Sequence, residues 1–196
     1  MSSLYAGWDQ SCNHAGAVLL GPEGEVRGEW FLAHQKKLMV SRPGTVGTLL
    51  PKHARVSGRP KGRTAEVARV ARLVFLRSWV DDVIQQMCTE ALLDDAQLYA
   101  VVEDYAHRAA QGAHQLGEVG AVMRLGLMRA MDGDAPIHLR LHGPESLKLF
   151  ASGKGNAPKE DVQSGIWDQF RVSYEDFDEP VLGDLTDAYA LAQMGR

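Results

Sequence analysis

The stretch 63–93 contains neither Pro nor Gly and separates two short apolar runs, 4–10 and 98–103. Val67, Val70, Val74, Leu76, Trp79, Val83 and Met87 recur through it largely at three- and four-residue steps, the spacing of one helix face. The second run, Leu98-Tyr99-Ala100-Val101-Val102-Glu103, is nearly continuous in apolar character, as suits a central strand covered on both faces. A long helix joining two buried strands returns the chain to its starting edge, so the strands run parallel. The chain is therefore constrained to an α/β arrangement.

Two further strands are expected before the helix, at 15–20 and 25–33. Gly21-Pro22-Glu23-Gly24 between them is strong turn chemistry, and the short connections make the first three strands mutually antiparallel. After 98–103 come a helix over 112–131, a strand over 136–141, a short helix opened by Pro144, a helix over 158–170 and a last helix over 184–194. The expected fold is α/β, a mixed five-stranded sheet, antiparallel in its first three strands and then parallel, flanked by helices. No repeat or second unit is evident, so 1–196 reads as one domain. The segment 34–62, with Pro43, Pro51 and Pro60 and several glycines, reads as a long loop or mobile arm.

That segment also polarises the charge. No Asp or Glu occurs from Phe31 to Ala65, and Lys36, Lys37, Arg42, Lys52, Arg55, Arg59, Lys61 and Arg63 give it +8. The remainder of the chain is −12, for a net −4. One cationic surface on an otherwise acidic protein suits a polyanionic partner. No 18-residue apolar run and no basic-then-apolar leader occur, and neither Cys12 nor Cys88 belongs to a metal-binding spacing. A cytoplasmic protein without a membrane partner is expected, in a bacterial cell or a phage-infected host.

Four acids fall where chemistry could use them. Asp9 ends the first strand and Glu103 ends the strand expected beside it, so both belong at one carboxyl edge of the sheet. Asp104, the next residue, points to the opposite face. Asp184 and Asp187 sit three apart on the last helix, about 60° apart around its axis. Each also has a plainer role: Asp9 as a turn former, Glu103 as an ordinary strand-terminating acid, Asp184 as an N-cap, both helix acids as partners of the macrodipole. Together they form the carboxylate set that phosphodiester hydrolysis by two hard cations roughly 4 Å apart requires.

This pattern resembles the RuvC-type Holliday junction resolvases of the RNase H-like superfamily. The resemblance extends over nearly the whole chain: Gly7-Trp8-Asp9-Gln10-Ser11 with Gly16-Ala17-Val18; Val101-Val102-Glu103; the Gly-punctuated Gln115–Val122; Pro144–Lys148; Gly153-Lys154-Gly155-Asn156-Ala157-Pro158-Lys159; and Asp184-Leu185-Thr186-Asp187-Ala188. The Gly-Lys-Gly-Asn-Ala loop is most similar to that of phage-encoded members. The resemblance implies a homodimer that nicks four-way DNA junctions symmetrically, with two Mg²⁺ ions per site and Mn²⁺ able to substitute. Asp9, Glu103, Asp184 and Asp187 would be the catalytic metal ligands. Lys148, Lys154, Lys159 and Arg108 would contact DNA, and 112–131 would supply much of the dimer interface. Residues 34–62 exceed what the bacterial enzymes carry there, and no junction-wedging aromatic is identified; Tyr105, His107 and Arg108 occupy the relevant loop.

Three other readings share parts of this pattern. A RuvC-like nuclease for flaps, forks or other branched DNA would keep the same acids, and so could an inactive RNase H-like module that only binds nucleic acid or a protein. An actin-like ATPase is disfavoured, because no convincing phosphate loop occurs in 34–62 and the chain is too short for two lobes.

Overall fold

The computed structural model describes residues 2–11, 14–33, 43–50, 63–104, 113–131 and 137–196. Strands β1 (Ser2–Gln10), β2 (Ala15–Leu20), β3 (Val26–Ala33) and β4 (Thr45–Leu49) precede helix α1 (Arg63–Leu93). Strand β5 (Ala96–Glu103), helix α2 (Ala113–Met131), strand β6 (Ile137–His142) and helices α3 (Pro144–Ser152), α4 (Lys159–Phe170) and α5 (Val181–Gly195) follow. The strands form one sheet in the order β4-β3-β2-β1-β5-β6. β1, β2 and β3 pair antiparallel, and the β1–β5 and β5–β6 pairs are parallel.

The sheet has six strands, not the five expected. β4 lies inside the segment read as a loop and forms the sheet edge, pairing parallel with β3 from Glu29↔Thr45 to Ala33↔Leu49. Its signal is short and interrupted by Gly47, which is why no periodicity announced it. That glycine is required here, because a Cβ would come within 2.5 Å of the Phe31 ring. The Thr45 hydroxyl donates to the Glu29 carboxylate at 2.6 Å, and Leu50 just beyond is fully buried. The segment's Lys and Arg residues from Lys36 to Lys61 lie outside the described residues.

Side-chain alternation divides the core into two layers. Leu4, Ala6 and Trp8 of β1, with Leu98, Ala100 and Val102 of β5, pack under α1 and α2. Val18, Leu20 and Val101 face the other way, onto α5 and the helices beside it. Trp8 meets Trp79 of α1 edge-on at 6.1 Å between ring centres. The buried stripe of α1 is Leu76, Trp79, Val80, Val83, Ile84 and Met87, whereas Val67, Val70 and Val74 are 50–66% exposed on its outer side. These three valines thus lie off the core face that their spacing had suggested. Among the described residues, no helix is long and apolar enough to cross a membrane.

α5 begins at Val181, with Pro180 as its N-cap. Asp184 is therefore inside the first turn, not the N-cap suggested by the sequence. This helix crosses the central strands on the α3–α5 side. Gly7 of β1 and Gly16 of β2 give it a flat seat: a Cβ on Gly7 would be 1.8 Å from the Ala188 carbonyl oxygen, and one on Gly16 2.7 Å from that of Asp184.

Candidate functional site

The β1–β5 register runs from Ser2↔Ala96 to Trp8↔Val102, which brings Asp9 and Glu103 level at the carboxyl edge. Gln10 holds these strand ends together by donating from its side-chain amide to the Glu103 carbonyl at 2.9 Å. Its own backbone N–H donates to Asp9 Oδ1 at 2.7 Å. Asp9 points to the α5 side, where Glu103 and Asp184 both hydrogen-bond with it. Asp104 turns the other way, towards Arg124 of α2. The close seat of α5 on Gly16 sets Asp184 against the end of β2. Asp187, one turn on, lies within electrostatic reach of Glu103. All four acids expected from the sequence are thereby gathered at one edge, from β1, β5 and α5.

Asp9 and Asp184 are only 6% and 3% exposed, so their ionised forms are poorly solvated. Burial first, then the neighbouring charges of Asp184 and Asp187, raises the Asp9 carboxyl well above its ordinary value. Burial likewise raises Asp184, opposed by its hydrogen bond with Asp9 and by the Lys159 ammonium. Glu103 is pushed up to about 9 by burial and by Asp9. Asp187 is pushed up to about 7 by burial and by Glu103, and is drawn back by Lys159 and Lys148. Without a counter-cation these carboxyls share protons, because like charges at hydrogen-bonding distance do not both ionise. No three Asp, Glu, His or Cys side chains among the described residues stand in a ready-made metal cage.

Two of the lysines singled out in the sequence act on this cluster. Lys148 of α3 is half-buried, and its charge favours ionised Glu103 and Asp187. Lys159, first residue of α4, reaches Glu179 at 3.4 Å. Burial pulls its ammonium down, but Glu179, Asp184 and Asp187 together hold it above its usual value. Gly183 leaves it this space, since a Cβ there would overlap the ammonium at 1.8 Å. Lys154 is exposed in the turn between α3 and α4, and its charge is not among those that move the four acids. Arg108, Tyr105 and His107 lie outside the described residues.

His14, Gly183 and Glu179 were not marked by any sequence pattern. His14 Nδ1 lies 2.5 Å from Asp184 Oδ2, with the imidazole 25% exposed. Burial, and then Lys159, lowers the ring to about 4, so it is neutral at ordinary pH. A histidine five residues after a strand-end Asp carries no distinctive spacing. Glycines inside strands, by contrast, do signal close approach of another backbone, and Gly7 and Gly16 carried that signal.

No protein-family model matches this sequence, and no curated protein matches it. Solved structures do. The fold is similar to that of Thermus thermophilus RuvC, at 16% identity and a TM-score of 0.55, covering 96% of this chain and 90% of that one. It is also similar to T. thermophilus RuvC in complex with Holliday junction substrate, at 18% identity and a TM-score of 0.51, covering 97% and 90%. The chain has a RuvC-like, RNase H-like fold.

Proposed function

We propose that this protein is a divalent-cation-dependent endodeoxyribonuclease that resolves four-way DNA junctions by paired symmetric nicks. The observation that carries the reading is the convergence of Asp9, Glu103, Asp184 and Asp187 from three elements, with Lys148 and Lys159 beside them. The donor set fits the cations this reading requires. It is all carboxylate, as Mg²⁺ and Mn²⁺ prefer, with Asp9 and Asp184 buried and Glu103 and Asp187 half-buried, where their charge has too little other compensation. Two such cations, when bound, would polarise the phosphodiester, assist deprotonation of water and neutralise the leaving oxygen.

The four carboxylates hold the cations and fix where the scissile phosphate sits. Lys159 and Lys148 supply positive charge to the phosphate on its approach. The N-terminus of α4, capped by no side chain, adds backbone N–H groups at the same end as Lys159. On the same reading Arg108 and Lys154 contact DNA, and the basic residues of 34–62 grip the junction arms.

The junction, rather than DNA in general, is supported by the likeness to a RuvC structure holding that substrate. A homodimer suits two symmetric cuts. The outer side of α2 suits its interface: Leu125 and Met128 are 55% and 54% exposed, and nothing lies within 4 Å of a Cβ on Gly117. We read 1–196 as one nuclease domain.

The test is cleavage of synthetic junctions, forks, flaps and linear duplex with Mg²⁺, Ca²⁺ or EDTA, with light scattering for the dimer. Paired nicks in the junction, supported by Mg²⁺ or Mn²⁺ only, are expected. Equal cutting of forks and flaps would favour a general branched-DNA nuclease instead. Asp9→Asn cleaving like the unaltered protein would remove the site from the reaction.

A further inference from the structure

We infer that His14 is a fifth functional member of this site, a positioning residue that fixes which carboxylate oxygen Asp184 presents to a bound cation. The inference deepens the nuclease reading and rests on it. His14 belongs to the turn between β1 and β2, and Asp184 to the first turn of α5, so two independent elements meet in this contact. Both ends are held. The His14 backbone is pinned to Ser11 by three hydrogen bonds: Ser11 N to the His14 carbonyl at 3.0 Å, Ser11 Oγ to the same carbonyl at 3.1 Å, and His14 N to Ser11 Oγ at 3.2 Å. The Asp184 backbone is pressed onto Gly16, two residues after His14, with no room for a methyl between them.

A carboxylate free to rotate can ligate through either oxygen or both. With Oδ2 engaged by His14 Nδ1 at 2.5 Å, rotation is blocked and Oδ1 is left uncommitted by the imidazole. Asp184 also hydrogen-bonds Asp9 from β1, so His14 orients one carboxyl of a linked pair. When Asp184 is ionised, the hydrogen bond requires the proton on Nδ1, which fixes the tautomer. The role needs a donor at the Nδ1 position and nothing from Nε2. An asparagine amide can place a donor close to that position; a leucine has the bulk without the donor.

The experiment is titration with Mn²⁺ alone, followed by electron paramagnetic resonance, on unaltered protein, His14→Leu and His14→Asn. Outer carboxylate–ligand contacts are worth about 10–100-fold in metal affinity, so His14→Leu is expected to weaken Mn²⁺ binding by that factor. His14→Asn is expected to restore binding to within about threefold. Nitrogen NMR of the unaltered protein with Mg²⁺ should show a proton on His14 Nδ1, a measurement that needs no variant to fold. Unchanged affinity in His14→Leu overturns the inference and leaves the nuclease reading intact. So does an Nε2–H tautomer, or an equal loss in His14→Asn. Failure of the unaltered protein to bind Mn²⁺ overturns both.

Discussion

Gly7 of β1 and Ala188 of α5 are in such close contact that a methyl group on Gly7 would lie 1.8 Å from the Ala188 carbonyl oxygen and 2.4 Å from the Ala192 nitrogen. Both obstacles are backbone atoms and cannot swing aside. Gly7→Ala should therefore lift α5 from the sheet and cost stability at or above the upper end of the roughly 1–3 kcal/mol typical of overpacking. Because α5 carries Asp184 and Asp187, the same variant should lose divalent-cation binding. Denaturant unfolding and a Mn²⁺ titration would measure the two effects. A stable Gly7→Ala protein that binds Mn²⁺ normally would show that α5 is not seated as described.

Glu103→Gln should separate metal binding from folding. The Glu103 carboxyl, held up to about 9, already carries its proton at neutral pH in the absence of a cation. An amide of nearly the same shape should then leave the melting temperature in EDTA within about 2–4 °C of the unaltered protein. The rise in melting temperature on adding Mg²⁺ should disappear. Cleavage should fall by at least about 10³-fold, the scale of several kcal/mol of lost transition-state stabilisation. Retention of the Mg²⁺-induced rise would remove Glu103 from the site.

The pH dependence of stability follows from the same burial. In the unfolded chain these carboxyls titrate near pH 4. Folded, Glu103 is held up to about 9 and Asp187 to about 7. The folded protein thus keeps protons that the unfolded chain has released, so the stabilisation is complete below about pH 4 and is lost as pH rises through the folded values. His14, held down to about 4, acts in the opposite sense between about pH 4 and 6.5 and adds no slope above that. In EDTA the melting temperature should consequently fall between pH 7 and 9, and Mg²⁺ should reduce the fall. A flat profile in EDTA would contradict the burial of Glu103.

Lys159 should report on DNA without being essential to the fold. Its side chain is 43% exposed, and its partner Glu179 is more exposed still, so Lys159→Met should change stability little. A phosphate contact at this lysine predicts weaker junction binding and a logarithmic salt slope reduced by about one. Fluorescence anisotropy in Ca²⁺ across a salt series would measure both. An unaltered slope would place Lys159 off the DNA path.

Arg72 makes a prediction away from the site. It is 2% exposed on α1, and none of its guanidinium nitrogens has a hydrogen-bond partner among the described residues. Arg72→Met keeps the length and removes a buried charge that no described residue pairs, so it should raise stability by about 1–3 kcal/mol in urea unfolding. A fall would reveal an anion or carbonyl partner for the guanidinium in solution.

The legible parts of the sequence were those that one local rule governs. The uninterrupted 63–93 pattern specified a crossover helix, and the crossover set β1 beside β5 with Asp9 and Glu103 level. The spacing of Asp184 and Asp187 specified a common helix face. β4 was hidden because a five-residue edge strand with a central glycine, paired parallel to β3, leaves neither alternation nor a hairpin turn. The start of α5 was misplaced because Pro180 is its N-cap and the acid at Asp184 imitates a cap four residues later. Val67, Val70 and Val74 share the helical step but not the buried stripe, since period alone does not say where the core lies. His14 acquires its role only from the packing of α5, which no local pattern reports.

His14 and Asp184 are 170 residues apart in the chain, yet their side chains touch. The acidic cluster joins the first strand to the helix that begins at Val181, and a polypeptide interrupted before that point lacks two of its four carboxylates. During synthesis on a ribosome, the cutting centre stays incomplete until that helix has been made. Under the proposed reading, a partial translation product is therefore harmless to the DNA around it, because assembly of the last described helix is what arms the enzyme.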